Sequence, residues 1–495
     1  MLRRMTLVEK GLIPDLPRVV VNISRGPSGQ IVPGVLNIGV PGGPIVPRVP
    51  GGPRGPIEIQ KTIDETFPYH SMHKISKWMT QWSLGHEIVL DISSCPLKYA
   101  SPLLNLIAKH TYTFTSYQTR KGYQCFGKKQ KTQETRGSQV TRGSQGVQKQ
   151  IWVYDDSKRR PYIKDLLDAI DHADVARDLE NEPSNVMTPK RFVKFAKELF
   201  KESRIEIKVL DEKQIVEEGL LLVDSVGRSS SNPHRFLIAE WIHDPSRPTI
   251  CLIGKGVTFD AGGLRLKPIA SLMSMKQDKS GASIVLAIMN YLITCCPDLP
   301  VNVVALMPMV ENVINGRATK PGDVFQSHDG RNVEVVDPDA EGRLIIADAI
   351  SYSSRYHPDY IIDFATLTNT ASTVCCDLSA VYFAKDDGIA KIVDVLGEAL
   401  GERVWRLPPW TEYRAYTKSS VADVRNANFE CTKGGSFMPS MFICNFVPEK
   451  LHRRWIHFDI SNNDIGGTHT ANAALLGMNV VKTLAITGKK LSREI

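Results

Sequence analysis

Asp337, Asp339 and Glu341 stand with Arg343 inside seven residues, and an apolar run from Leu344 to Ala347 follows at once. Carboxylates this close repel one another, and without compensation at least one takes up a proton. A multivalent cation is the usual compensation, and it needs ionised oxygens. A second cluster, about eighty residues upstream, offers the other half of such a site. There Lys255, Asp260 and Lys267 lie among four glycines between Ile253 and Pro268, and Asp278 follows just ahead of Ser280-Gly281-Ala282. Glycines let backbone approach a ligand closely. A lysine beside a cation can be held as a neutral amine that donates its lone pair.

Lys255, Asp260, Asp278, Asp339 and Glu341 together give four carboxylates and one amine. Such a set can hold two divalent ions, clamp a water between them, lower its pKa and polarise a carbonyl for its attack. No histidine falls in these segments. Oxygen-rich ligation suits Mn²⁺ or Mg²⁺, and Zn²⁺ also fits. Two cations are left over. Lys267 can stabilise a developing oxyanion. Arg343 can hold an anion such as bicarbonate or a substrate carboxylate in its planar fork. For both, a plain salt bridge to a nearby carboxylate stays open. A P-loop reading of Gly254-Lys255 fails because Gly256 occupies the Ser/Thr position, and neither G-x-S-x-G nor H-E-x-x-H occurs.

These residues need a scaffold that gathers distant loops. Thr249 to Ile253, Val301 to Met307, Val333 to Val336 and Tyr360 to Phe364 read as buried strands, and Gly281 to Leu292 and Leu344 to Tyr352 as helices. Alternation of this kind implies an α/β fold with a mostly parallel sheet flanked by helices. Functional loops then sit at the C-terminal ends of the strands, where both clusters fall. Upstream, 162–180 reads as a helix, and Thr188-Pro189 opens another with proline in its first turn. Glu87 to Ile92 and Ile151 to Tyr154 read as strands around a helical Pro102 to Ala108.

The chain has 495 residues, long enough for two or three domains. We expect a Pro/Gly-rich arm over 1–56, in which Val-Pro-Gly-Gly-Pro occurs twice, as a disordered segment. A small, divergent N-terminal α/β domain is expected over 57–160, and the catalytic domain over 161–495. Within the former, 119–150 is a low-complexity loop repeating Thr-Arg-Gly-Ser-Gln. Its eight basic residues and one acid between Arg120 and Lys149 are a weak pointer to nucleic acid, against the plainer reading of a solvated loop. A net charge of +8, 42% hydrophobic residues and no apolar run of membrane-spanning length imply a globular protein without a membrane partner. Nine scattered cysteines without C-x-x-C spacing imply reduced thiols and a cytoplasmic location.

The chain resembles the leucyl aminopeptidase family of two-metal peptidases. The family signatures V-G-K-G-x-T-F-D-S-G-G-x-x-x-K-P and N-T-D-A-E-G-R-L stand here as Ile253 to Pro268 and Asp337 to Leu344. Colinear matches follow at Glu311-Asn312, Lys320 to Val324, Ala365 to Thr368, Ala422-Asp423 with Asn426, and Trp455 to Ile460. The resemblance covers about 175–480. It implies an aminopeptidase removing N-terminal residues from peptides, with Lys255, Asp260, Asp278, Asp339 and Glu341 as metal ligands. It also implies catalytic roles for Lys267 and for Arg343, the latter holding a bicarbonate as general base. Thr366 and Leu367 would lie beside the substrate, with Met275 lining its first side-chain pocket, and six copies would assemble.

Departures from the pattern bear on this reading. Asp337-Pro338 replaces Asn-Thr and adds a carboxylate beside the metals. Lys279 replaces a methionine and would either repel a metal or pair with Asp337. Asn369 replaces a glycine, and Ser461-Asn462 replace Ala-Gly. Asp464 would make an acidic pocket wall favouring basic or polar N-terminal residues. These substitutions keep a second class in view, an altered homologue acting as a structural or nucleic-acid-binding protein.

Overall fold

The computed structural model describes residues 158–368, 370–376, 378–429, 437–461, 464–465 and 468–491, with shorter N-terminal pieces at 5–8, 18–26, 57–64, 74, 76–77, 87–92, 97–112, 114 and 151–154. Two compact units result, Met1–Leu167 and Asp168–Ile495. The 27–56 part of the Pro/Gly-rich arm, the basic loop 119–150, Asn369 and Asn462 lie outside the described residues.

The first unit holds a five-stranded sheet of β1 (Met5–Val8), β2 (Arg18–Gly26), β3 (Ile57–Asp64), β4 (Glu87–Asp91) and β5 (Ile151–Tyr154), in the order β1-β5-β4-β2-β3. Every pairing in it is parallel. This corrects the arm drawn over 1–56. Val19-Val20-Val21 is a β-branched run, and it pairs in register with Ile57 to Ile59. The helix Leu97–Thr111 buries Leu103, Leu104, Leu106 and Ile107.

The second unit is built on a nine-stranded sheet. Its strands are β6 (Glu206–Leu210), β7 (Arg235–Trp241), β8 (Thr249–Gly254), β9 (Gly256–Asp260), β10 (Asn302–Asn312), β13 (Tyr360–Ala365), β14 (Ala380–Ala384), β15 (Val404–Arg406) and β17 (Trp455–Asp459). They run β15-β14-β17-β13-β8-β10-β7-β6, with β9 alongside β10. The core from β17 through β13 and β8 to β10 is parallel, and antiparallel strands close both sides. β10 and β13 are buried along their whole length, the mark of central strands covered on both faces. The helix Glu341–Ser353 is buried at every position, and Ser280–Cys295 nearly so, as expected of helices packed all round.

A small sheet of β11 (Asp323–Gln326), β12 (Asn332–Val335) and β16 (Val424–Arg425) stands apart. The expected strand at 333–336 therefore exists but belongs to this satellite, where it pairs with Val424-Arg425. β18 (Asp464–Ile465) and β19 (Thr468–His469) form a short ribbon. Among the described residues no helix is long and apolar enough to cross a membrane.

Candidate metal centre

The parallel trio β8, β13 and β17 delivers three successive strand ends to one edge: Lys255 after β8, Thr366 after β13, and Asp459 at the end of β17. At Lys255 the chain leaves the sheet, then re-enters it as β9, which ends on Asp260. Asp278 sits in the 3₁₀ turn Met275–Lys279 that feeds the helix Ser280–Cys295. Glu341 is the first residue of the helix Glu341–Ser353.

These elements converge. Asp260, Asp278 and Glu341 are all buried, and each offers a carboxylate oxygen within 4.8 Å of the other two. Lys255, 3% exposed, donates to Asp278 Oδ1 and Glu341 Oε1, both at 2.8 Å, and to the Thr366 carbonyl at 2.8 Å. Lys267 bridges Asp260 Oδ2, at 2.7 Å, and Asp339. The Thr366 hydroxyl donates to Asp278 Oδ1 at 2.6 Å, and Asn312 Nδ2 donates to Asp260 Oδ1 at 2.9 Å. All five expected ligands and Lys267 thus form one connected cluster. Arg343, in the first turn of the same helix as Glu341, is buried, with its guanidinium on the Asn426 carbonyl at 2.6 Å and its Nε without a partner among the described residues. Thr366 and Leu367 are half-buried on the loop that touches Lys255, and Met275 opens the turn that carries Asp278.

Two glycines make the approach possible. A Cβ on Gly342 would lie 2.6 Å from Lys255 Cε. At Gly262, where φ is +87°, a side chain would crowd Asp339 Oδ1 at 3.0 Å, on backbone that L-residues rarely adopt.

Burial first, then the charges of Glu341 and Asp278, push the Asp260 carboxyl well above the usual range, against the pull of Lys267 and Lys255. Burial likewise takes Asp278 up to about 6 despite Lys255, and it raises Asp339. At Glu341 the upward push of burial is outweighed by Lys255 and Lys267, so its pKa falls. Burial would lower both lysines, yet the surrounding carboxylates hold both above the ordinary value. Burial brings Arg343 down to about 10, so it stays a cation at neutral pH. Burial and the neighbouring carboxylates raise Asp260, Asp278 and Asp339 together, a penalty that a bound cation would relieve. Asp278 Oδ2 and Glu341 Oε2 are buried without a hydrogen-bond partner among the described residues, which is the donor set a hard divalent ion requires.

One expectation about the substituted neighbours is corrected. Lys279 does not pair with Asp337. Its ammonium is fully buried on the carbonyls of Glu180 (3.3 Å), Glu182 (3.0 Å) and Lys276, and burial brings its pKa down to about 7. Asp337 is paired instead with Arg265.

Two residues whose role is not legible in the sequence shape the cluster. Asp459 accepts Leu367 N at 3.1 Å and Thr368 Oγ1 at 2.7 Å, which fixes the loop carrying Thr366. Asn426 accepts Val336 N at 2.8 Å and Asp337 N at 3.1 Å, and it donates to the carbonyls of Asp337 and Ala340. Both stand in the family-like motifs Ala422-Asp423 with Asn426 and Trp455 to Ile460, which mark their positions but not their hydrogen bonds.

Known proteins resemble this chain in sequence and fold. The pattern of the cytosol aminopeptidase family, catalytic domain, covers residues 174–485. A probable cytosol aminopeptidase of Roseiflexus castenholzii is 40% identical over 288 residues, 58% of this chain and 58% of that protein. Its counterpart in Aquifex aeolicus is 41% identical over 290 residues, 58% of this chain and 57% of that protein. The matched part of the chain spans about three-fifths of the length of these curated relatives. Among solved structures, the cytosol aminopeptidase from Coxiella burnetii aligns with a TM-score of 0.69 at 27% identity, over 83% of this chain and 84% of that one. The bottromycin maturation enzyme BotP in complex with Mn shares the fold, with a TM-score of 0.75 at 24% identity over 94% of this chain and 99% of that one.

Proposed function

The chain belongs to the cytosol aminopeptidase family, and from that membership we propose that it is a metal-dependent aminopeptidase acting on the free N-terminus of peptides. The observation that carries the reading is the meeting of Asp260, Asp278 and Glu341 oxygens within 4.8 Å, with two lysines on them. Lys255, Asp260, Asp278, Asp339 and Glu341 would hold a pair of divalent ions, Mn²⁺ or Zn²⁺ with Mg²⁺ as a further candidate. When bound, such ions supply an activated water and polarise the scissile carbonyl.

The chain's own groups do the positioning. Lys267, less buried than Lys255, faces the cavity between Asp260 and Asp339, where an ammonium stabilises negative charge developing on the carbonyl oxygen. Arg343 remains charged and keeps Nε free of protein partners among the described residues, which suits it to hold a bicarbonate as proton acceptor. Thr366 and Leu367 line up the substrate backbone, and Met275 borders its first side chain. The buried setting of Lys255 and Glu341 strengthens each of these interactions by excluding water. Family membership also makes a homo-hexamer the expected assembly, which sedimentation would test.

Hydrolysis of a panel of aminoacyl amides by chelator-stripped protein, with and without added Mn²⁺, tests the reading. Turnover should appear with Mn²⁺ and vanish in Asp339→Ala. Turnover that ignores both the chelator and Asp339→Ala would overturn it. The same panel tests Asp464 as an acidic wall, since a strong leucine preference would refute it.

A further inference from the structure

Asp337 is a fifth carboxylate beside the cluster, and the proposed chemistry gives it no task. Its side chain is 7% exposed, and both of its oxygens are engaged. One accepts the Asp339 amide at 3.0 Å. The other is ion-paired with the guanidinium of Arg265, which lies over the Phe429 ring at 5.1 Å. Arg265 comes from the segment that carries Asp260 and Lys267. Asp337 comes from the segment that carries Asp339 and Glu341. Lys267 crosses the same gap deeper in the cavity, joining Asp260 to Asp339. The two segments are therefore tied twice, once inside the cavity by Lys267 and once at its rim by Arg265, whose side chain is 55% exposed.

We infer that Arg265 and Asp337 form a clasp over the metal centre: Arg265 neutralises the fifth carboxylate and locks the two ligand-bearing segments together, so that both are positioning residues and Asp337 is not a ligand. The inference rests on the metal-centre reading above. Its physical logic is reciprocal. Without Asp337, Arg265 leaves an unmatched cation at the mouth of a site that must attract cations. Without Arg265, Asp337 becomes an unpaired, mostly buried charge one residue from Pro338-Asp339, and the turn it holds loses its anchor. Each residue is harmful alone, and removing both restores the charge balance.

A double-mutant cycle tests this, with two readouts: Mn²⁺ affinity of chelator-stripped protein by calorimetry, and kcat and KM on an aminoacyl amide. Asp337→Asn should weaken Mn²⁺ binding about ten-fold, from one unmatched charge near the ions. Arg265→Ala should lower kcat about ten-fold with little change in KM, the scale of a misplaced reacting group. The double variant should return to within about three-fold of the parent on both readouts, the signature of a coupled pair. Losses that simply add would overturn the clasp. So would a collapse of Mn²⁺ affinity in Asp337→Asn that persists when Arg265 is also removed, because that is the behaviour of a ligand. If Arg265→Ala does not fold, Arg265→Lys keeps the charge and should keep Mn²⁺ affinity within about three-fold, whereas a large loss there counts against the proposal. Coupled Mn²⁺ binding without any hydrolysis would leave the clasp standing and remove the peptidase reading.

Discussion

Gly342→Ala isolates the geometry of the site from the stability of the fold. Gly342 is the second residue of the helix Glu341–Ser353 and is buried. An added Cβ would sit 2.6 Å from Lys255 Cε, 2.7 Å from Nζ and 2.8 Å from Cδ. Carbon atoms in contact prefer about 3.5–4.0 Å, so Lys255 would have to retreat by about 1 Å. It has little freedom to do so, because its ammonium is held by Asp278, Glu341 and the Thr366 carbonyl, all at 2.8 Å. Overpacking of this kind costs about 1–3 kcal/mol, and alanine in a helix recovers up to about 1 kcal/mol over glycine. The fold should therefore lose no more than about 2 kcal/mol. The site should lose far more, since a shift of about 1 Å in a reacting constellation costs about a hundred-fold in rate. Urea denaturation, Mn²⁺ titration and aminoacyl amide turnover would read the three quantities separately. A variant with parental Mn²⁺ affinity and turnover would refute the argument, because it would mean that Lys255 can step aside without consequence.

Glu341→Gln should abolish Mn²⁺ binding while the protein still folds, since it removes a central oxygen and leaves Lys255 with Asp278; retained binding would exclude Glu341 as a ligand. Asp459→Asn replaces one of the two acceptor oxygens with an amide nitrogen, leaving either the Leu367 amide or the Thr368 hydroxyl without its acceptor, so kcat should drop about ten-fold or more with a small change in melting temperature, whereas an unaltered kcat would show that the loop is fixed elsewhere. Asn426→Ala leaves the Val336 and Asp337 amides without their acceptor and should cost about 2–4 kcal/mol in denaturation. The fourth case concerns pH. His457 is buried on Asp363 at 2.6 Å, and the attraction of Asp363 outweighs the downward push of burial and raises its pKa. A raised folded pKa adds stability that is complete below the unfolded histidine value of about 6.5 and fades as pH climbs through the folded value. Asp363→Asn should consequently destabilise more at pH 6 than at pH 9, and a cost independent of pH would show that the pair is not ionic.

Much of the site was legible because its chemistry is local in sequence. Asp339, Glu341 and Arg343 lie within one turn-and-helix start, and Lys255, Asp260 and Lys267 within one strand connection, so spacing alone marked them. What was hidden came from partners distant in the chain. Arg265 meets Asp337 across 72 residues, and Asn426 meets it across 89, distances over which no periodicity carries information. β4 and β5 were legible as strands, whereas β1, β2 and β3 were hidden for a different reason. Their apolar runs are short and border a Gly/Pro-rich stretch whose composition dominates any window that spans both.

The break between β8 and β9 shows how the fold pays attention to a single side chain. The expected strand ended at Met307, and the next residue, Pro308, has no amide to give a ladder. In the structure β10 runs on through Pro308 to Asn312. Its pairing with β8 ends at Leu306 opposite Ile253, and its pairing with β9 begins at Met309 opposite Gly256. Pro308 therefore lies where this edge of β10 changes partner, so its missing donor costs no bond there. Across that gap stand Gly254, Lys255 and Gly256. Lys255 N reaches instead to the Phe364 carbonyl of β13 at 3.0 Å, and its carbonyl accepts Ala282 N at 2.8 Å. The interruption is what frees the Lys255 side chain to leave the sheet and enter the carboxylate cluster. Pro308 marks the point at which the sheet opens to make its site.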